Sequence, residues 1–380
     1  MSYFDVIIVG AGPAGSICAH TLAKNSISCA IIERRKSPGF PVCCGEAVSE
    51  ASLKAAGIFH GSYIDKKVSG FRIFFPNGKY MTINSPGCLI NREKFDKYIF
   101  GLAVEKGAKP FLKHRVLSAK RNDNGFEVST DNGNFTCKYL VGADGPESVI
   151  DTLFFNNRRS LVEATQYKLS KPAYKYDSGN YIDFFYDPVS SHYLWIFDKS
   201  KEINAGGCIA DKELLRGFIQ KHLGLEESGH IGFCRGKIPS GGIKDKIFNK
   251  NVFLVGDAAG LTNPVTLAGI YSALLSGKIC AYCIFGEVNL GKTNSPGVYE
   301  KVIKKQPFAS PDLKYLASRC FTLPQEVLFF LGEYFDSKDN RHKDFFKFIK
   351  LAFKYPAVLA HIKPLFKLRK LLKSGADKLW

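Results

Sequence analysis

The chain has 380 residues, 45% of them apolar, and a formal charge of +18. Such a length can bury a large core split into two or three domains. The charge calls for an acidic partner or surface, yet no zinc-finger, RNP or basic-region pattern points to nucleic acid.

The opening "MSYFDVIIVG" enters a buried-strand pattern at once, without the basic segment and cleavage site of a secretory signal, so none is expected. "DVIIVG" is a continuous β-branched run, as a central parallel strand requires. "PAGSICAHTLAKN" has helical spacing, and "SCAIIE" is a second strand ending in an acid. Gly10, Gly12 and Gly15 join strand to helix: one for the tight turn, one for approach of a pyrophosphate, one for helix–sheet packing. Free N–H groups at the helix start would face the phosphates. Glu33 lies at the end of the second strand, where a carboxylate accepts from ribose hydroxyls and disfavours a 2′-phosphate. FAD or NAD is therefore predicted over NADP.

The next stretch, "PVCCGEAVS" at 41–49, is a cysteine-rich turn. Beyond it, "VSGFRIFFPNGKYMTI" and, later, "NYIDFFYDPVSSHYLWIFDK" alternate and are rich in aromatics, with a turn signal at Asn77-Gly78. They predict an antiparallel sheet. "GNFTCKYLVGADGPESVI" and "NKNVFLVGDAAGLTNPVTLAGIYSALLSGKICA" return to strand, glycine turn and helix. The second of these favours FAD, because a strand ending at Gly256-Asp257 brings an acid to the ribityl and phosphate portion of a flavin. The helix after it can aim its N-terminus at the isoalloxazine ring.

The predicted fold is thus α/β. A discontinuous Rossmann-type FAD-binding domain covers 1–59, 86–155 and 246–300, and an inserted antiparallel-sheet substrate domain covers 60–85 and 156–245. A helical region follows over 301–380. No apolar run reaches the about 18 residues of a membrane span, since Lys278 interrupts the best candidate, so a soluble main body is expected. Eleven cysteines without repeated spacing predict a reducing cytoplasm, and the single CxxC, Cys280 to Cys283, has no second pair to complete a metal site. From Arg341 to Trp380 eleven Lys or Arg face two acids, with Phe, Leu and Ile interleaved. That tail suits peripheral attachment to an anionic membrane surface or, equally, an ordinary helix with a solvated face.

The GxGPAG loop, "CGE" at 44–46, the Arg of "INREKFD", "GADG" and "GDAAG…NP…T…GI" together resemble the geranylgeranyl reductase family of flavoproteins, over about residues 1–300. The resemblance implies an aromatic-hydroxylase-like fold. It also implies FAD contacts at Ala14, Glu33, Cys44, Gly45, Ala47, Arg92, Val116, Asp257, Gly269 and Ile270. Two positions depart from the family pattern. Leu267-Ala268 stands where a Gly-x pair is usual, and Asp198 replaces Pro in the motif Tyr193-Leu-Trp195-Ile-Phe197-Asp198-Lys199.

The implied activity is FAD-dependent saturation of C=C bonds in geranylgeranyl or other isoprenoid chains of a lipid or prenyl diphosphate, with flavin N5 as hydride donor. Cys44 is the candidate catalytic residue, assisting protonation or orienting the alkene, and a buried packing cysteine is its alternative. Cys43 is expected to be a spectator. Tyr193 and Trp195 share a strand face and are candidates for the substrate pocket, with His192 on the opposite, exposed face. Glu46 is expected to cap the following helix rather than to act as an acid. An external electron donor is required: ferredoxin, NAD(P)H or a deazaflavin. An FAD monooxygenase or halogenase and a non-catalytic prenyl-binding escort protein are the competing readings.

Overall fold

The structure is a computed structural model that describes residues 2–58, 61–158, 160–171, 176–187, 190, 192–224, 229–290, 295–336, 345–364 and 367. The chain opens with β1 (Ser2–Val9), α1 (Pro13–Lys24) and β2 (Cys29–Glu33). Pro13 stands in the first turn of α1, where its missing N–H costs nothing. Then come β3 (Ala47–Ser49) and α2 (Glu50–Ala56), capped by the Ser49 hydroxyl, which accepts from the Ser52 N–H. A long hairpin of β4 (Ile64–Phe74) and β5 (Tyr80–Ile90) leads into α3 (Arg92–Glu105).

Strands β6 (Lys109–Leu112), β7 (Val116–Asn122), β8 (Gly125–Thr130) and β9 (Gly133–Gly142) precede the short α4 (Val149–Phe154). The chain then builds β10 (Leu161–Ser170), β11 (Tyr181–Phe185), β12 (Leu194–Asp198) and β13 (Glu202–Gly207). After α5 (Lys212–Leu223) come β14 (His230–Pro239), β15 (Phe248–Asn249) and β16 (Val252–Leu254). The rest is helical: α6 (Ile270–Leu290), α7 (Ser295–Lys304), α8 (Pro311–Cys320), α9 (Gln325–Phe335) and α10 (Phe345–Lys354).

Two sheets of eight strands result. The first runs β15-β16-β9-β1-β2-β6, with β7 and β8 joined through β9. Its central strands pair in parallel, β1 lying between β9 and β2, and their aliphatic residues are wholly buried, which is why they read as unbroken apolar runs. The second runs β14-β10-β13-β12-β11-β4-β5-β3. It is antiparallel except where β4 meets β11 in parallel, a departure from the all-antiparallel expectation. The two strands come from distant segments, so no hairpin sets their direction.

Strand β3 and the end of β5, at 47–49 and 86–90, lie in segments expected for the nucleotide domain but pair within the second sheet. The cysteine-rich turn just before β3 therefore sits at the seam between the two sheets. No helix among the described residues is long and apolar enough to cross a membrane.

Candidate active site

A cavity of about 930 Å³ is lined by the strand ends of the first sheet, a face of the second, and the C-terminal helices. Gly10, Gly12 and Ala14 line one end of it. Gly15 does not, since it faces the strand: a Cβ there would lie 2.0 Å from the Gly10 carbonyl oxygen, so only glycine lets α1 pack this closely. Gly12 is the N-cap of α1 and offers no side-chain cap, and a Cβ added to it would meet nothing within 4 Å. The helix start thus opens on the cavity with N–H donors uncovered.

Glu33 holds its carboxylate in place by accepting the Ala11 N–H at Oε2 and the Arg35 N–H at Oε1, both at 2.9 Å. Each oxygen keeps a lone pair for a ligand hydroxyl. Val116, at the start of β7, lines the same end. Past β16, Asp257 stands in a 3₁₀ turn and accepts from the Thr262 hydroxyl at 3.1 Å. Burial pushes its carboxyl above the usual range, against that hydrogen bond and the Arg92 charge. Gly269 lies against it, where a Cβ would sit 3.2 Å from Asp257 Oδ1, and Ile270 begins α6 on the cavity wall.

The middle of the wall is the cysteine-rich turn, with Cys44, Gly45 and Ala47 on the cavity. Cys44 Sγ accepts the Glu46 N–H at 3.3 Å and lies in the field of the Arg92 guanidinium, which is fixed by Asp96 at 2.9 and 3.0 Å. Glu46, at φ +69° and 1% exposed, does not cap the helix that follows it. Ser49 does that, and Glu46 Oε1 accepts the Arg92 N–H at the start of α3, 2.8 Å away. Its other oxygen accepts from Lys199 Nζ and Asn204 Nδ2, each at 2.8 Å. Burial alone would raise the Glu46 pKa, but the Lys199 and Lys168 ammonium groups and the Arg92 N–H hold it below the usual carboxylate range. It is therefore an ionised anchor and not a general acid.

This arrangement joins the two stretches on which the family resemblance rests most. Lys199, 1% exposed, ends the "YLWIFDK" motif and pairs with Glu46 of "CGE". Two residues earlier, Phe197 packs on Gly45, where a Cβ would lie 2.6 Å from its ring. Asp198, the residue in place of proline, is buried between Lys66 at 3.0 Å and Lys171 at 2.7 Å.

The other end of the cavity is apolar. Trp195, 7% exposed, donates from Nε1 to Gln166 Oε1 at 3.3 Å, and the Tyr193 hydroxyl donates to the Thr266 carbonyl. The two rings stand edge to face 6.0 Å apart on the cavity wall, with Phe184 beside Tyr193. His192 is half-buried against Phe321, ring centroids 4.3 Å apart, and is not the exposed residue expected. A segment over a hundred residues away covers it, and burial lowers its pKa.

Phe321, Leu323, Phe330, Tyr334 and Phe348 close this end, and sequence reasoning missed all of them. Their signal was the one available: Phe330 and Tyr334 share a face of α9 at i, i+4 spacing and stack at 5.7 Å. Of the basic tail, residues 341–344, 365–366 and 368–380 lie outside the described residues. Among the described residues no group of three or more His, Cys, Asp or Glu could hold a metal ion.

The polar end fits FAD: an uncapped helix N-terminus opening on space at Gly12 for a pyrophosphate, and the tethered Glu33 carboxylate for ribose hydroxyls. Known proteins agree. A family model described as an FAD binding domain matches residues 3–158. Digeranylgeranylglycerophospholipid reductase 3 of Methanosphaera stadtmanae is 33% identical over 301 residues, 72% of this chain and 75% of its own. Digeranylgeranylglycerophospholipid reductase of Thermoplasma volcanium is 31% identical over 336 residues, 80% of this chain and 84% of its own. A crystal structure of a geranylgeranyl bacteriochlorophyll reductase-like protein from Thermoplasma acidophilum superposes with a TM-score of 0.82 at 27% identity, covering 96% of this chain and 100% of that one. A fold with FAD as its cofactor and this degree of identity across most of a relative's length make the chain a member of the digeranylgeranylglycerophospholipid reductase family.

Proposed function

We propose that the protein is an FAD-dependent reductase that saturates C=C bonds in the geranylgeranyl or other isoprenoid chains of a lipid or prenyl diphosphate. The observation that carries this reading is the continuity of one cavity, from the glycine loop past Cys44 to an aromatic wall built by β4, β5, β11, β12 and the C-terminal helices. A hydrocarbon chain gains about 0.8 kcal/mol per methylene buried there. It would place an alkene beside the cysteine-rich turn.

In this reading FAD, when bound, supplies the electron pair as hydride from N5. The α1 N-terminus and Glu33 would hold its pyrophosphate and ribose, and Ala14, Ala47, Arg92, Val116, Asp257, Gly269 and Ile270, which line the cavity, would flank it. The aromatic wall keeps water out. An isolated alkene has no carbonyl to take up developing charge, so a proton must reach one carbon as hydride reaches the other. Cys44 Sγ, held between the Glu46 N–H and Arg92, is the group we assign to hold that proton or to orient the alkene. Tyr193 and Trp195 flank the chain.

The exposed face of α10 supports attachment to an anionic membrane. Phe353 is 85% exposed, with Lys350 and Lys354 beside it, and the same helix sends Phe348 into the cavity. A lipid could then pass from bilayer to cavity along one element. The electron donor is ferredoxin, NAD(P)H or a deazaflavin, and single-turnover reduction with each would select among them.

The test is anaerobic. Protein reduced with dithionite and given geranylgeranyl lipid should reoxidise its flavin as the lipid gains one hydrogen pair per bond. Oxygen-dependent turnover with a hydroxylated or halogenated product would replace this reading with the monooxygenase or halogenase one. A well-folded, colourless protein that refuses added FAD would replace it with the escort reading.

A further inference from the structure

Cys43, expected to be a spectator, has a partner. Its thiol stands near that of Cys234 on β14, and each perturbs the ionisation of the other. The turn lies flat on that strand: a Cβ at Gly236, two residues on, would come 3.1 Å from Cys43 Sγ. Cys234 stands opposite Gln166 of β10, which lines the cavity. We propose that Cys43 and Cys234 form a reversible disulfide that fastens the cysteine-rich turn to β14.

Access singles this pair out. Cys18 and Cys280 also stand near each other, but both are 0% exposed in the core between α1 and α6. Cys43 is exposed and Cys234 half-buried. Cys44 is no competitor, because its sulfur is engaged by the Glu46 N–H and Arg92. The neighbouring Cys43 thiol and the Lys168 charge hold the Cys234 thiol below its ordinary range, so Cys234 is the sulfur that attacks.

With a low-molecular-weight disulfide as oxidant, the Cys234 thiolate attacks one sulfur and expels one thiolate. Cys43 then loses its proton, attacks the Cys234 sulfur and expels the second. Two protein thiols are oxidised and one small disulfide is reduced to two thiols. The product holds still the turn that presents Cys44 and Gly45 to the cavity.

The test needs no turnover and so stands apart from the reductase reading. The whole chain is equilibrated in glutathione buffers of rising potential, quenched with acid and analysed by mass and by peptide mapping. Two of the eleven thiols should disappear, with a link between the Cys43 and Cys234 peptides that dithiothreitol reverses. Cys43→Ser and Cys234→Ser should each abolish the link while circular dichroism stays unchanged. Mixed disulfides with glutathione at either residue without the link, a link from Cys44, or earlier loss of the Cys18 and Cys280 thiols would overturn the proposal. Were a Ser variant to unfold, the wild-type peptide map alone would still decide it.

Discussion

The two ends of the cavity are built in different ways. The nucleotide end relies on backbone: N–H groups at the start of α1, a glycine that admits α1, and the Ala11 and Arg35 N–H groups that tether the one carboxylate side chain, Glu33. The hydrocarbon end is made of side chains sent from β4, β5, β11, β12 and two C-terminal helices. Backbone geometry tolerates almost no change, whereas a wall of packed rings can lose or gain volume and keep its purpose. Between them, the Glu46–Lys199 pair fastens the turn of one end to the sheet of the other.

That contrast can be broken first at Gly15. Gly15→Val drives a branched side chain onto the Gly10 carbonyl, and a cost of about 5 kcal/mol should appear as at least a thousandfold loss of flavin affinity or as colourless protein. Flavin content by absorbance checks it. At the join, Lys199→Met removes the nearer ammonium from buried Glu46, leaving Lys168 at 3.4 Å, and should cost about 3 kcal/mol in denaturant unfolding. The double variant with Glu46→Gln should recover part of that loss.

The same pair sets a pH window. The folded pKa of Glu46 is depressed, so its contribution exists above the unfolded value of about 4.3 and is lost as pH falls through the folded one. Burial opposes the charge on Lys199, yet Glu46 and Glu202 raise its pKa overall. Its contribution exists below the unfolded value of about 10.4 and is lost as pH rises through the folded one. Melting temperature against pH should lose both edges in the double variant.

Smaller effects sharpen the comparison. Cys44→Ala should lower turnover about a hundredfold with flavin retained, and unchanged turnover would leave Cys44 as packing only. Leu323→Trp fills part of the hydrocarbon end. It should raise KM for a geranylgeranyl substrate about tenfold and that for a shorter prenyl chain less, again with full flavin. Smallest, Lys350→Glu on α10 should weaken binding to anionic vesicles about fivefold, about 1 kcal/mol, without altering turnover in detergent.

Legibility followed the same division. The placement of Gly10, Gly12, Glu33 and Asp257 on the cavity, and of Gly15 against the strand, could be read because a turn's needs are written in adjacent residues. His192 could not, because Phe321 covers it from another part of the chain. Nor could the role of Glu46, since its partners Lys168 of β10, Lys199 of the β12–β13 turn and Asn204 of β13 meet it only in the folded chain. Asp198 read only as a departure from the family pattern. Lys66 and Lys171 make it the centre of a buried ion cluster.

By itself the sequence determined the alternation of elements and the nucleotide loop, because hydrogen-bonding needs and apolar period act over a few neighbouring residues. Which residues face one another across the cavity was decided by the tertiary structure alone. The parallel meeting of β4 with β11, the ion pair behind the cysteine turn and the helical wall at the hydrocarbon end all depend on long-range burial, and burial is indifferent to separation along the chain.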